Sequence, residues 1–416
     1  VADIVFAFDP AIDRPVPRLE GAVPAVAEPV ASAPVDALRA AAAAAIQADA
    51  AALVLFGRVL DPQRASPAQA AALRRLITDL ATHGCRTVWI AADAAACAEV
   101  SRMLGDPAGL VFVTPTQSLG LDIRGLAVEI HSAQSLAGMG GGITEFEPLH
   151  TASARRIVVG WDAGHWSHER WDEEPHADDA RHFHAVAAGP HNAFCVWGSR
   201  RHHTPGGGSH HLPAIQARSA HEAGAGSCGL LTLLDHPPAD DAAALGHRRD
   251  PLASRTDWRH AWRELPTHQV AWRTIAVDSP AGGDEELATA IWSAIEGLSL
   301  DDQAALQIIR CHVQCGTSVA RRVRASEISA ETLARVRQLY DARGFRAWCH
   351  EIVADPAESL AALGHSRSGA QPGSTTSFST ALADIVTALE QEPLRTVPAD
   401  LARESAWLAL ELIEST

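Results

Sequence analysis

Leu53-Val54-Leu55-Phe56-Gly57-Arg58-Val59-Leu60-Asp61 decides how this chain is read. Ala52 and the four apolar residues after it have the length and continuity of a strand buried on both faces. Gly57 supplies a turn, and an arginine and then an aspartate follow it. A guanidinium is positively charged and offers no free lone pair, so Arg58 cannot ligate a cation.

Working outward, the first third of the chain alternates strands and helices. Ile4–Phe8 is a short apolar run, Ala37–Ala48 an alanine-rich helix and Ala52–Phe56 the buried strand. Pro67–His83 places Ala70, Leu73, Leu76, Ile77 and Leu80 at helical spacing. Thr87–Ala91 predicts a strand, Ala94–Leu104 a helix and Leu110–Val113 another strand. Short connections between such elements argue for βαβ units and a mostly parallel sheet.

Beyond Ile123 strands dominate, at Leu126–Ile130, Ile157–Gly160, Ala193–Trp197 and Gly229–Leu234, separated by Gly- and His-rich loops. A polar stretch around 236–265 leads to the strand Val270–Val277. The helix Asp284–Leu298, the strand Gln307–Val313 and the helical Ala330–Asp341 then suggest a smaller α+β domain. Residues 363–377 lack large apolar groups and read as a linker. Two C-terminal helices follow. Leu382, Ile385, Val386 and Leu389 lie at i, i+3, i+4 and i+7, and Leu401, Leu408 and Leu412 form a second stripe.

At 416 residues the chain has room for two or three domains. It carries 47% hydrophobic and 20% charged residues, as soluble globular proteins do, and no lysine. A net charge of −16 argues against a free-standing DNA binder, because phosphate neutralisation drives such binding. Cysteines 85, 97, 195, 228, 311, 315 and 349 form no C-x-x-C pair and fit a reducing cytoplasm. No apolar run reaches ~18 residues and no leader precedes Ile4–Phe8, so neither a membrane span nor a signal peptide is expected.

Several segments together resemble the SbcD/YhaO type of DNA-repair metallophosphoesterase, the nuclease partner of SMC-like ATPases. The resemblance covers roughly residues 4–350. That family opens on a strand ending His-x-Ala-Asp-Leu-His-Leu-Asp-Arg-Pro, where this chain has Phe6-Ala7-Phe8-Asp9-Pro10-Ala11-Ile12-Asp13-Arg14-Pro15. Asp9 survives, while the two histidines have become Phe6 and Ala11. The family's Gly-Asp-Leu-Phe-Asp, whose first Asp bridges both metals, is Gly57-Arg58-Val59-Leu60-Asp61. Its Gly-Asn-His-Asp turn is Ala92-Asp93-Ala94-Ala95, and a later ligand His falls near Asp162. Gly-His-x-His is Gly198-Ser199-Arg200-Arg201. The Pro-Gly-x-Gln-Gly-Arg run is partly kept as Pro213-Ala214-Ile215-Gln216-Ala217-Arg218, followed by Glu222-Ala223-Gly224 and Ser227-Cys228-Gly229.

The departures fall on ligand positions and spare the scaffold. A two-metal site needs several carboxylates and imidazoles holding cations ~3.5–4 Å apart, and Asp9 alone cannot supply them. Asp9, Arg58, Asp93, Asp162, Ser199 and Arg201 would thus form a degenerate site with no catalytic residue and no metal. Arg58 is expected to pair with Asp9, Asp93 or both, as internal glue; Arg58 and Arg201 gripping a phosphodiester is the sharper alternative. The fold implied is α/β: a metallophosphoesterase-like α/β sandwich over 1–265, a small α+β capping domain over 266–362, the linker 363–377 and a C-terminal helical pair over 378–416.

Other signals weigh less. Eleven of the 21 histidines lie between His165 and His221, but in no ligand spacing, so solvated loop histidines are expected. Trp161, Trp166 and Trp171 beside Asp172, Glu173 and Glu174 suit either a binding surface or a packed loop. Cys311 and Cys315 on one strand would share a face about 13 Å apart, too far for one metal. Gly138-Met139-Gly140-Gly141-Gly142 lacks the setting of a phosphate cradle, and no Gly-x-Ser-x-Gly elbow occurs.

In the family the resemblance names, helices after the capping domain dock on the ATPase's coiled coil. Leu382, Ile385, Leu389, Leu401, Leu408 and Leu412 are the matching partner-binding candidates, and they equally suit packing on each other. The expected function is a catalytically degenerate SbcD-like subunit, cytoplasmic, scaffolding or regulating an SMC-like or AAA-type ATPase in DNA repair. It would meet DNA only indirectly, with no membrane, no cofactor and a homodimer left open. The alternative is an active exonuclease whose two Mn ions sit in a rearranged His-rich site.

Overall fold

A computed structural model describes residues 2–14, 16, 19, 21–91, 94–114, 117–132, 155–161, 193–198, 209–219, 222, 226–233, 260–278, 284–298, 304–314, 322–323, 329–343 and 346–354. These divide between Ala271 and Trp272 into two compact units.

The first unit is built on β1 (Ala2–Phe8), β2 (Ala52–Phe56), β3 (Arg86–Ile90) and β4 (Leu110–Val113), parallel and side by side in that order. Helices α1 (Pro24–Gln47), α2 (Pro67–Thr82) and α3 (Ala94–Leu104) make the crossovers. The continuous apolar strands follow from burial on both faces. Val5, Ala7, Leu53, Leu55 and Trp89 meet Leu38 and Ala41 of α1 and Leu73, Ile77 and Leu80 of α2. Their sequence neighbours Phe6, Phe8, Val54, Phe56, Val88 and Ile90 are equally buried, and strand alternation sends them to the other face.

That other face packs on a second sheet, ordered β5 (Leu119–Ile123), β6 (Leu126–Ser132), β7 (Arg155–Trp161), β8 (Ala193–Gly198) and β9 (Ser209–Leu212). It is parallel except for the β5–β6 hairpin. Two antiparallel strands, β10 (Ser227–Leu233) and β11 (His260–Pro266), extend the first sheet beyond β1. The chain is therefore an α/β protein with mostly parallel sheets.

Four of these elements differ from expectation. Helix α1 starts at Pro24, half its length earlier than its alanine run suggests, although Pro29 and Pro34 each remove a main-chain donor. Burial of Val26, Val30, Ala33 and Pro34 offsets that loss. Strands β5, β9 and β11 leave little apolar signal in the sequence: Gly120 and Asp122 interrupt β5, three of the four residues of β9 are polar, and β11 is mostly exposed. His210, expected in a solvated loop, packs against both Phe194 and Trp262, 4.7 Å from each ring centroid, the two rings themselves 5.7 Å apart. Burial, then His260 and His211 nearby, push its pKa down.

β12 (Val270–Asp278) starts in the first unit and runs from Trp272 into the second, whose sheet orders it beside β13 (Leu306–Gln314) and β14 (Ala347–Ala354), with α4 (Asp284–Glu296) and α5 (Ser329–Arg343). β13 and β14 run parallel, with a register shift between Ile309 and Arg310. Cys311 Sγ lies 3.7 Å from Cys349 Sγ, both thiols buried and free, so the partner of Cys311 comes from the neighbouring strand. Cys315 lies outside the described residues.

Among the described residues no helix is long and apolar enough to cross a membrane.

Candidate functional site

β1 and β2 end in register at Phe8 and Phe56, and their loops stay joined past the ladder. Asp9 N–H donates to Phe56 O (2.9 Å), Ala11 N–H to Arg58 O (2.8 Å) and Ile12 N–H to Val59 O (3.1 Å). This path forces left-handed backbone at Asp9 (φ 51°), Ala11 (φ 37°) and Gly57 (φ 76°). Aspartate tolerates that region; alanine does so at a cost of order 1–2 kcal/mol. Only glycine suits position 57, because a Cβ there would also stand 2.8 Å from the Phe8 ring.

Asp9 is fully buried. Its Oδ1 accepts the main-chain N–H of Arg58 at 3.2 Å, and Arg58 Nε stands 3.5 Å from the same oxygen. That second approach is an ion pair without hydrogen-bond geometry. The closer guanidinium belongs to Arg218. Its Nη1 donates to Asp9 Oδ2 at 3.1 Å, and its Nη2 donates to the carbonyls of Asp9 (3.0 Å) and Pro10 (3.3 Å). Arg218 N–H in turn donates to Glu222 Oε2 at 2.9 Å. Arg58, expected as the partner of Asp9, thus shares it with a second arginine that holds it more closely.

Four residues on, Asp13 and Arg14 form another buried pair, with Nε 3.7 Å from Oδ2. Burial raises the Asp13 pKa, against main-chain hydrogen bonds from Asp13 and Asp61 and the charge of Arg14. Burial, then the charge of Arg64, lowers that of Arg14. The loop is anchored to α2, where Ser66 and Gln69 form a reciprocal cap and Gln69 Nε2 also donates to Ile12 O at 2.7 Å.

The carboxyl ends of four strands converge here. A Cβ on Gly198, the last residue of β8, would stand 2.2 Å from the Phe8 ring, and Trp161, the last of β7, lies 6.4 Å from Phe56. In open α/β sheets ligands bind at such carboxyl ends. Asp93, Asp162, Ser199 and Arg201 lie outside the described residues, as do Leu382, Ile385, Leu389, Leu401, Leu408 and Leu412.

The donor set around Asp9 does not suit a cation. Both carboxylate oxygens accept protein hydrogen bonds, and two guanidinium groups stand within 3.5 Å. Among the described residues no three His, Cys, Asp or Glu side chains gather as metal ligands. The residue to which the sequence gives no role is Arg218: it stands in the Gln216-Ala217-Arg218 run as a motif match only, 209 residues from Asp9. No protein-family model matches the chain, and no curated protein matches it.

Proposed function

We propose that this chain is a catalytically degenerate SbcD-like subunit, a metallophosphoesterase-like sandwich with a small capping domain, acting as a scaffold or regulator of an SMC-like or AAA-type ATPase in DNA repair. One observation carries the reading. Asp9 stands at the end of β1, where the resemblance places a metal ligand, and its oxygens are engaged by Arg58 and Arg218. Guanidinium charge takes the place of cation charge, so the loop keeps its conformation and loses the means to activate water. Partner contact falls to the C-terminal segment 378–416.

Calorimetric titration of the full chain with Mn²⁺ tests this. The expected result is no binding at millimolar metal. Two tight sites per chain would overturn it in favour of a metal-dependent nuclease using other histidines.

A second reading, a module holding a phosphodiester through Arg58 and Arg201, draws on exposure. The Arg58 side chain is 23% exposed and that of Arg218 6%, so Arg58 is the guanidinium a solvent anion would reach. Binding of inorganic phosphate, weakened by Arg58→Ala, is its expected signature.

A further inference from the structure

Arg218 and Gln216 lie two residues apart on one segment and reach in different directions. Arg218 closes on Asp9 and Pro10, as described. Gln216, fully buried, closes on the point where the chain leaves the first unit. Its Nε2 donates to Val270 O (2.7 Å) and to Ala217 O (2.8 Å). Its Oε1 accepts the main-chain N–H of Gln269 (2.9 Å) and of Val270 (3.2 Å). A primary amide offers two donors and two acceptor sites, and all four are used on main chain.

The surroundings hold the segment itself in place. Ile215 N–H donates to Phe8 O at 3.0 Å, directly before the Asp9 turn. Thr267 Oγ1 donates to Ile215 O at 2.8 Å, and the N–H groups of Thr267 and His268 both donate to Gly226 O. A side chain at Gly226 would stand 2.3 Å from Ile215 O, so the approach needs glycine. Val270 opens β12, the strand by which the chain enters its second unit.

We infer that Asp9 is a positioning residue for the domain exit: through Arg218 it fixes segment 215–218, and through Gln216 that segment fixes Gln269 and Val270. The carboxylate at the end of β1 sets the conformation of the first residues of β12, with no chemistry involved. A solute that drew Arg218 away from Asp9 would loosen those residues. These hydrogen bonds couple the two points whatever the ancestry of the site.

Amide hydrogen exchange on the full chain tests it, read at residues 266–271. Gln216→Met keeps the side chain's size and removes its amide. It is expected to speed exchange at Gln269 and Val270 about tenfold while Thr267 and His268, bonded to Gly226 O, stay protected. Asp9→Asn is expected to speed the same two amides severalfold, and Asp13→Asn to leave them unchanged. Unchanged Gln269 and Val270 in Asp9→Asn, or equal loss of protection throughout the first sheet, would overturn the coupling. Wild-type exchange in sub-denaturing urea covers the case in which a variant fails to fold. Asp9, Ala11, Gln269 and Val270 should open with one urea dependence, and separate dependences would overturn the proposal. Mn²⁺ calorimetry bears only on the degenerate-site reading, so the two can fail independently.

Discussion

Two carboxylates, Asp9 and Asp13, sit on the loop after β1 and are both withdrawn from water. Asp9 accepts from a main-chain N–H and from Arg218, and the Arg58 guanidinium adds a second cation at 3.5 Å. Asp13 has main-chain bonds from itself and Asp61, a cation at 3.7 Å, and an Oδ2 with no hydrogen-bond partner among the described residues. Burial wins at Asp13 and raises its pKa. Loops that bury charge therefore differ in whether geometry compensates the desolvation, and only the first arrangement can serve as glue.

The sharpest way to break this comparison is to remove the buried cation. Arg218→Met leaves Asp9 with only the more distant, partly exposed guanidinium, and is expected to cost about 3–5 kcal/mol. Urea unfolding measures it through the midpoint at constant slope. A loss under about 1 kcal/mol would mean that Arg58 carries the pair. The double variant Asp9→Asn, Arg218→Met should cost clearly less than the sum of its parts, because the two side chains contact directly.

Arg58→Ala comes next. The main-chain N–H of residue 58 still serves Asp9 Oδ1 in this variant, and the lost guanidinium was partly screened by solvent. A cost of about 1 kcal/mol is expected in the same unfolding experiment. A cost equal to that of Arg218→Met would erase the distinction drawn between the two arginines.

Why one arginine was legible and the other was not has a physical basis. Arg58 announced itself because it interrupts an apolar strand-turn-acid pattern within a few residues. Arg218 lies 209 residues from Asp9 along the chain, and no local periodicity reports a contact that only the sheet order creates. The parallel core was legible for the opposite reason. Val54, Phe56, Val88 and Ile90 are apolar because both faces of their strands are covered, and that leaves a continuous run. Strand β11 left no such trace: His260, Ala261, Arg263, Glu264 and Pro266 are exposed, so pairing with β10 rather than burial makes it a strand. The proline-bearing half of α1 was hidden too, since Pro29 and Pro34 signal a break that tertiary packing overrides.

The smallest effect sharpens the comparison from the other side. A carboxyl whose pKa is raised by folding binds its proton more tightly in the native state than in the unfolded chain. Ionising it therefore removes stability as pH climbs from the ordinary value of 3.8 through the raised native one. Asp13→Asn cannot ionise, so it should lose none of that stability. Relative to wild type it should gain under about 1 kcal/mol at pH 7, reduced by the imperfect fit of an amide to the two main-chain donors. The gain should shrink as pH falls toward 3.8, below which only the cost of the amide's poorer fit remains. Paired urea titrations at pH 7 and at the lowest pH where both proteins stay folded read the difference directly. A variant less stable than wild type at pH 7 would show that Asp13, like Asp9, has its charge compensated, by Arg14 across the 3.7 Å gap.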